Sequence, residues 1–195
     1  AMSKRSPRAP FAAKLAAAAL AVALCPWPPR DAGACTSIVV GKKASTDGSV
    51  ITSHTCDSHQ TGSDIQVVPA ARHEPGARRL MTRRQDDTSG PMKRYSRKPI
   101  GDIPEVSETF GYLAPAYAAM NDRQLAIGES TFGGREELES DKGLIDCETL
   151  TRLILERTAN ARDAIRLSGA LLEEHGWNDV GEALTIADPN EVWLL

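Results

Sequence analysis

The stretch Cys35-Thr36-Ser37-Ile38-Val39-Val40-Gly41-Lys42-Lys43-Ala44-Ser45-Thr46-Asp47-Gly48-Ser49-Val50-Ile51-Thr52-Ser53 decides how the rest of the chain is read. Two β-branched, apolar segments, 36–40 and 49–53, flank a connection that carries Asp47-Gly48, a pair suited to the positive-φ geometry of tight turns. The stretch therefore predicts a β-hairpin with a cysteine at its head.

What precedes the hairpin has a different character. Lys4, Arg5 and Arg8 open the chain, and an apolar run rich in Ala and Leu follows from Phe11 to Leu24. That run has the length of a signal-peptide core and is shorter than the about 20 residues a membrane-spanning helix needs. A proline-broken stretch then leads to Ala32-Gly33-Ala34, with small residues at the positions a signal peptidase inspects. Residues 1–34 thus read as a signal peptide and 35–195 as an exported domain, periplasmic or secreted, with Cys35 as its first residue. Pro26, Trp27, Pro28 and Pro29 lie between Cys35 and the apolar run, a poor context for lipid attachment. A lipoprotein or binding module anchored at Cys35 is the reading from a different class. The start at Ala1 before Met2, and the stop at Trp193-Leu194-Leu195 within an expected strand, read as a piece of a longer protein.

A cysteine at a new N-terminus has its own α-amino group beside the thiol. The amine titrates near about 7.7–8.0 and the thiol near about 8.5, so proton transfer between them is almost balanced at neutral pH. Such a residue can attack an amide carbonyl, form an acyl-enzyme and release it to water without a separate histidine. A formal net charge of −3 with no dense basic patch gives no electrostatic case for nucleic acid, and a small-molecule or peptide substrate fits better.

Of the four cysteines, Cys25 falls in the leader, leaving Cys35, Cys56 and Cys147. In an oxidising compartment the simplest arrangement is one reactive thiol plus a Cys56–Cys147 bridge. No CxxC or Cys/His spacing points to zinc, and no cofactor is expected.

Farther along, Ile65-Gln66-Val67-Val68 predicts a short strand. Residues 71–103, rich in Arg, Lys, Asp, Ser, Gly and Pro, predict a long exposed loop whose basic cluster of Arg78, Arg79, Arg83 and Arg84 is solvated. A buried strand is predicted from Gln124 to Thr131. Beyond Gly143 apolar residues take helical spacing, predicting two helices or one broken helix, with Asp146 and Asn160 as N-caps and Gly176 as a stop. Leu184 to Ala187 and Glu191 to Leu194 predict strands around an Asp188-Pro189-Asn190 turn. Strands, then helices, then strands give an α+β layered domain.

The segment Cys35 to Ser49 resembles the mature N-terminus of the dipeptidase A-type cysteine peptidases, N-terminal nucleophile (Ntn) hydrolases related to penicillin V acylase and bile salt hydrolase. Ser53-His54-Thr55-Cys56-Asp57, Met120 through Gly134, and Ile186-Ala187-Asp188-Pro189 with Trp193 extend the resemblance through most of residues 35–195. It implies an αββα sandwich, incomplete at the C-terminus, with Cys35 at the tip of the first strand as nucleophile. Asp57 matches the Asp that holds the nucleophile's amine, and His54 stands where many relatives have Arg. Thr131 falls at the position of an oxyanion-hole side chain. Asn121, Glu129 and Asp188 are the substrate-binding candidates, with Glu129 taking a substrate's free amino group. The function so implied is hydrolysis of a dipeptide or short peptide, without metal, nucleic acid or a stable membrane span, and with room for a homo-oligomer. The alternative is the same chemistry on an acylated amine or bile-acid conjugate.

Overall fold

The computed structural model describes residues 35–57, 65–87 and 94–195, so the reading of residues 1–34 as a leader lies outside the described residues. The opening hairpin forms as its sequence predicts. Strand β1 (Ser37–Val40) pairs antiparallel with β2 (Ile51–His54), Ser37 opposite His54 and Val40 opposite Ile51. Gly48 takes a φ of 76° in the connection, the left-handed geometry for which Asp47-Gly48 was the signal.

The main sheet is six-stranded and antiparallel, in the order β12-β11-β10-β9-β8-β3. Its members are β3 (Gln66–Val68), β8 (Tyr112–Ala114), β9 (Met120–Asn121), β10 (Ala126–Gly133), β11 (Gly181–Ala187) and β12 (Val192–Leu194). Strand β10 is buried over Ala126–Glu129 and pairs along its length with β11, with a register irregularity between Thr131 and Gly133. Helices α1 (Cys147–Arg157) and α2 (Ala161–His175) pack on this sheet. Leu150, Leu153, Ile154, Ala161, Ala164 and Leu171 join Leu125, Ile127, Leu184 and Ile186 in one core. The caps fall where the sequence put them. Asp146 accepts from the Thr149 N–H, Asn160 accepts from the Asp163 N–H, and Gly176 ends α2 at φ 76°. Among the described residues, two α-helices and a majority of sheet make this an α+β fold.

The expected exposed loop at 71–103 is instead mostly strand. After β4 (Ala71–Arg72), which pairs with β7 (Glu108–Thr109), the long strands β5 (Arg78–Asp87) and β6 (Arg94–Pro104) form an antiparallel hairpin. Only a few of its side chains enter the core, notably Met81 and Ile103, each 1% exposed, so hydrophobicity alone carries little period-2 signal. Ion pairs take the place of apolar contacts. Arg79 reaches Glu105 and Glu156, Arg78 reaches Asp102, and Arg97 reaches Glu148 at the start of α1. The Arg157 guanidinium, itself nearly buried, lies 2.8 Å from Glu105. Among the described residues no helix is long and apolar enough to cross a membrane.

Candidate active site

The head of the hairpin meets the middle of β10. Cys35 is half-buried just before β1, and its Sγ donates to Glu129 Oε1 at 3.6 Å. The Asp57 main-chain N–H donates to the same sulfur. Burial pushes the Cys35 thiol above its usual pKa, the Asp57 N–H pulls it down, and the charge of Glu129 and the neighbouring Cys56 push it up again, for a net rise. While residue 34 holds the Cys35 nitrogen as an amide, no ammonium is present to reverse that balance.

Glu129 is only 2% exposed, yet it is the hub. The same Oε1 that accepts from Cys35 lies 3.7 Å from His54 Nε2, too far for a hydrogen bond and close enough for an ion pair if the ring is protonated. Both His54 ring nitrogens are buried and bonded to nothing among the described residues, and the ring stands edge-on to Tyr117. The approach of β2 to β10 depends on Gly128. A Cβ there would sit 2.7 Å from Thr185 Oγ1 and 3.0 Å from the His54 Cβ, so any larger residue would push His54 away.

Space opens on both sides of Glu129. A cavity of about 490 Å³ is lined by Glu129, Thr131, Glu182, Tyr117, Arg83 and Arg84, with Asp146, Glu148 and Asp179 at its wall. A second, of about 300 Å³, adjoins His54, Cys56, Tyr117 and Glu129. Glu182 is the main residue the sequence left unnoticed. Burial raises its carboxyl to about 8, the Thr131 hydroxyl lowers it, and the charge of Glu129, to which it is hydrogen-bonded, raises it further. The Glu182 carboxyl therefore keeps its proton near neutral pH. Glu129, Glu182 and Cys147 bring their ligand atoms within 4.8 Å of one another, a spacing that could hold a cation. Burial drives the Cys147 thiol far up, however, and with Glu182 also raised the trio favours protons as it stands.

The other predicted residues are dispersed. Thr131 is exposed on β10 and donates its hydroxyl to Glu182 Oε1 at 2.8 Å, so it serves the carboxyl pair. Asp57 reaches Cys35 through its main chain, while its side chain is exposed. Asn121 is saturated. Its Nδ2 donates to the Leu155 and Thr158 carbonyls at 2.8 Å, and its Oδ1 accepts from the Arg123 and Leu125 N–H groups at 3.0 Å. It pins the C-terminal end of α1 to β9 and has no polar capacity left for a substrate. Replacing Asn121 with alanine should cost about 2–4 kcal/mol of stability, since it orphans buried carbonyls. Urea unfolding measures this, and an unchanged midpoint would contradict the structural role. Asp188 is committed likewise. Its carboxylate accepts from Ala161 at 2.9 Å, Asn190 at 2.7 Å and Glu191 at 3.0 Å. Burial pushes its pKa up, but these N–H groups and Lys42 outweigh that and hold it below the usual range. Cys35, Cys56 and Cys147 are all free thiols, so the anticipated Cys56–Cys147 bridge is not formed; Cys147, 3% exposed, opens α1 inside the core.

Comparison with known proteins agrees with the resemblance carried by these motifs. The chain is 27% identical to a "Probable dipeptidase" of Latilactobacillus sakei over 178 residues, covering 84% of this chain and 34% of that protein. It is 29% identical to a "Dipeptidase" of Bifidobacterium longum over 177 residues, covering 83% and 33%. A "Probable dipeptidase B" of Lactococcus lactis matches at 27% over 172 residues, covering 85% and 35%. The chain thus spans about a third of the length of these relatives. The model of peptidase family C69 matches residues 34–195, and it is to this family that the chain belongs.

Proposed function

We propose that the chain is the nucleophile-bearing part of an exported cysteine-type dipeptidase, made as a precursor whose residues 1–34 are removed to leave Cys35 at the N-terminus of an Ntn-type αββα sandwich. The observation that carries this reading is the contact between the Cys35 sulfur and the buried Glu129 at 3.6 Å, made where the opening hairpin meets β10. Family membership supports the peptidase part, and the relatives named as dipeptidases support the substrate class.

In the processed protein the freed amine of Cys35 takes the thiol proton, directly or through a water. The resulting ammonium offsets the burial and the Glu129 charge that raise the thiol. The thiolate attacks the scissile carbonyl, the amine of Cys35 returns the proton to the leaving amine, and water then releases the acyl group by the same route. The α-ammonium of a dipeptide lies two bonds from the carbonyl under attack. Glu129, within reach of the sulfur and lining the cavity beside Asp146, Glu148 and Asp179, is the candidate to bind that ammonium.

Two forms of the full-length protein test this, one with residues 1–34 attached and one beginning at Cys35. The processed form should split dipeptides with a free amino group and leave their N-acetylated counterparts intact; the leader-bearing form should split neither. Iodoacetamide should modify Cys35 in the processed form at a pH distinctly below that needed for the leader-bearing form. Equal reactivity of the two thiols, or hydrolysis by the leader-bearing form, would defeat the mechanism.

A further inference from the structure

Cys56 is absent from the chemistry above, yet it is the residue that the fold sets against the nucleophile. In the β1–β2 ladder Ser37 stands opposite His54, and one step farther the Thr55 N–H donates to the Thr36 carbonyl at 2.9 Å. The same register therefore runs on past the formal strand ends and makes Cys35 and Cys56 the next facing pair. The Thr36 N–H answers by donating to the Thr55 hydroxyl at 3.0 Å, so the two strands stay joined at this step, and facing residues of an antiparallel pair have Cα atoms about 4.5–5.5 Å apart. That spacing lies within the about 4.4–6.8 Å across which a disulfide closes. The side chains agree with the backbone. Both thiols are half-buried and therefore reachable by a small reagent, both are free, and they are in hydrogen-bonding reach of each other.

We infer that Cys35 and Cys56 form a reversible cross-strand disulfide, a modification site that removes the nucleophile when the protein meets a low-molecular-weight disulfide. The bond needs no rearrangement of the hairpin, since register already places the sulfurs together. The thiolate of Cys35 attacks one sulfur of the oxidant R–S–S–R, forming a mixed disulfide and expelling one RS⁻. The thiolate of Cys56 then attacks the Cys35 sulfur and expels the second RS⁻. Two electrons pass from the protein to the oxidant, and the two thiol protons end on two molecules of RSH. A dithiol reductant reverses both steps. Cys147, walled into the core with its thiol held protonated by burial, stays out of the exchange and provides an internal control.

The chemical step stands by itself, while its effect on turnover rests on the dipeptidase reading, so the experiment reads the two separately. The processed full-length protein is titrated with glutathione disulfide in glutathione buffers. Each sample is quenched with an alkylating agent, digested without reduction and mapped by mass spectrometry, and dipeptide turnover is measured in parallel. The expected result is a cross-linked peptide pair containing Cys35 and Cys56, two hydrogens lighter than the sum of its parts, with turnover lost in proportion to cross-linking and restored by dithiothreitol. Cys56→Ser should keep turnover in reducing buffer, and in oxidised buffer should accumulate glutathione on Cys35 in place of the cross-link. Its melting curve, compared with that of the wild type, verifies folding. Stable glutathionylation of Cys35 in the wild type without linkage to Cys56, or linkage of either to Cys147, overturns the proposal. A Cys35–Cys56 cross-link in a protein whose reduced form splits no dipeptide upholds the disulfide and removes the dipeptidase reading.

Discussion

Replacing Cys35 with alanine in the processed protein is expected to abolish dipeptide turnover, with a loss on the order of 10⁴-fold or more in kcat/KM, as for other residues that form the covalent intermediate. Among the described residues no other thiol is expected to substitute. Cys147 is enclosed in the core, and Cys56, the neighbour of Cys35, lacks the α-amine that the proposed mechanism uses as its base. The fold should barely register the change. Cys35 is half-buried at the head of a four-residue strand, and its sulfur is held by the Glu129 carboxylate and the Asp57 N–H, so the loss of stability should be within about 1 kcal/mol. Steady-state kinetics paired with thermal unfolding tests both halves. Turnover within roughly tenfold of wild type would show that the acyl group is carried elsewhere.

Glu129→Gln should lower kcat/KM for dipeptides with a free amine by about 10²–10³-fold, because the ammonium would lose its buried counter-charge. The amide preserves the volume of the side chain, so the cavities that Glu129 lines keep their shape. A second effect has the opposite sign. The Glu129 charge helps to hold the Cys35 thiol above its usual pKa, so neutralising it should lower that pKa and speed alkylation of Cys35 at a given pH. Slower hydrolysis together with faster alkylation is the signature of a carboxylate that binds substrate and opposes thiolate formation. If both rates fall together, Glu129 acts instead by activating the thiol, and the assignment to substrate binding is wrong.

The position of Glu129 illustrates how much of the site is a property of three-dimensional packing. The residue is 94 positions from Cys35, and nothing local distinguishes it from any other acid in a strand. Its partner Glu182 lies on β11, and the antiparallel register that sets Thr131 across from Glu182 brings the carboxyls together. Asn121 and Asp188 show the converse. Both stand within motifs of the resemblance, and both turn out to spend their polar atoms on backbone partners at α1 and α2. A motif marks a residue as constrained, but whether ligand or backbone imposes the constraint depends on what packs beside it.

Local chemistry was enough for the opening hairpin, for the caps at Asp146, Asn160 and Gly176, and for the run of strands, then helices, then strands that makes the fold α+β, because turns, caps and hydrophobic periods act over a few residues. Tertiary structure alone decided the β5–β6 hairpin, whose long strands are tied by Arg79 to Glu105 and Glu156 and by Arg97 to Glu148. It also decided the gathering of Cys35, His54 and Glu129 around one carboxylate oxygen. Ion pairs and facing side chains of this kind join segments that are distant in the chain, and their energy depends on burial and separation, quantities that exist only once the chain has folded.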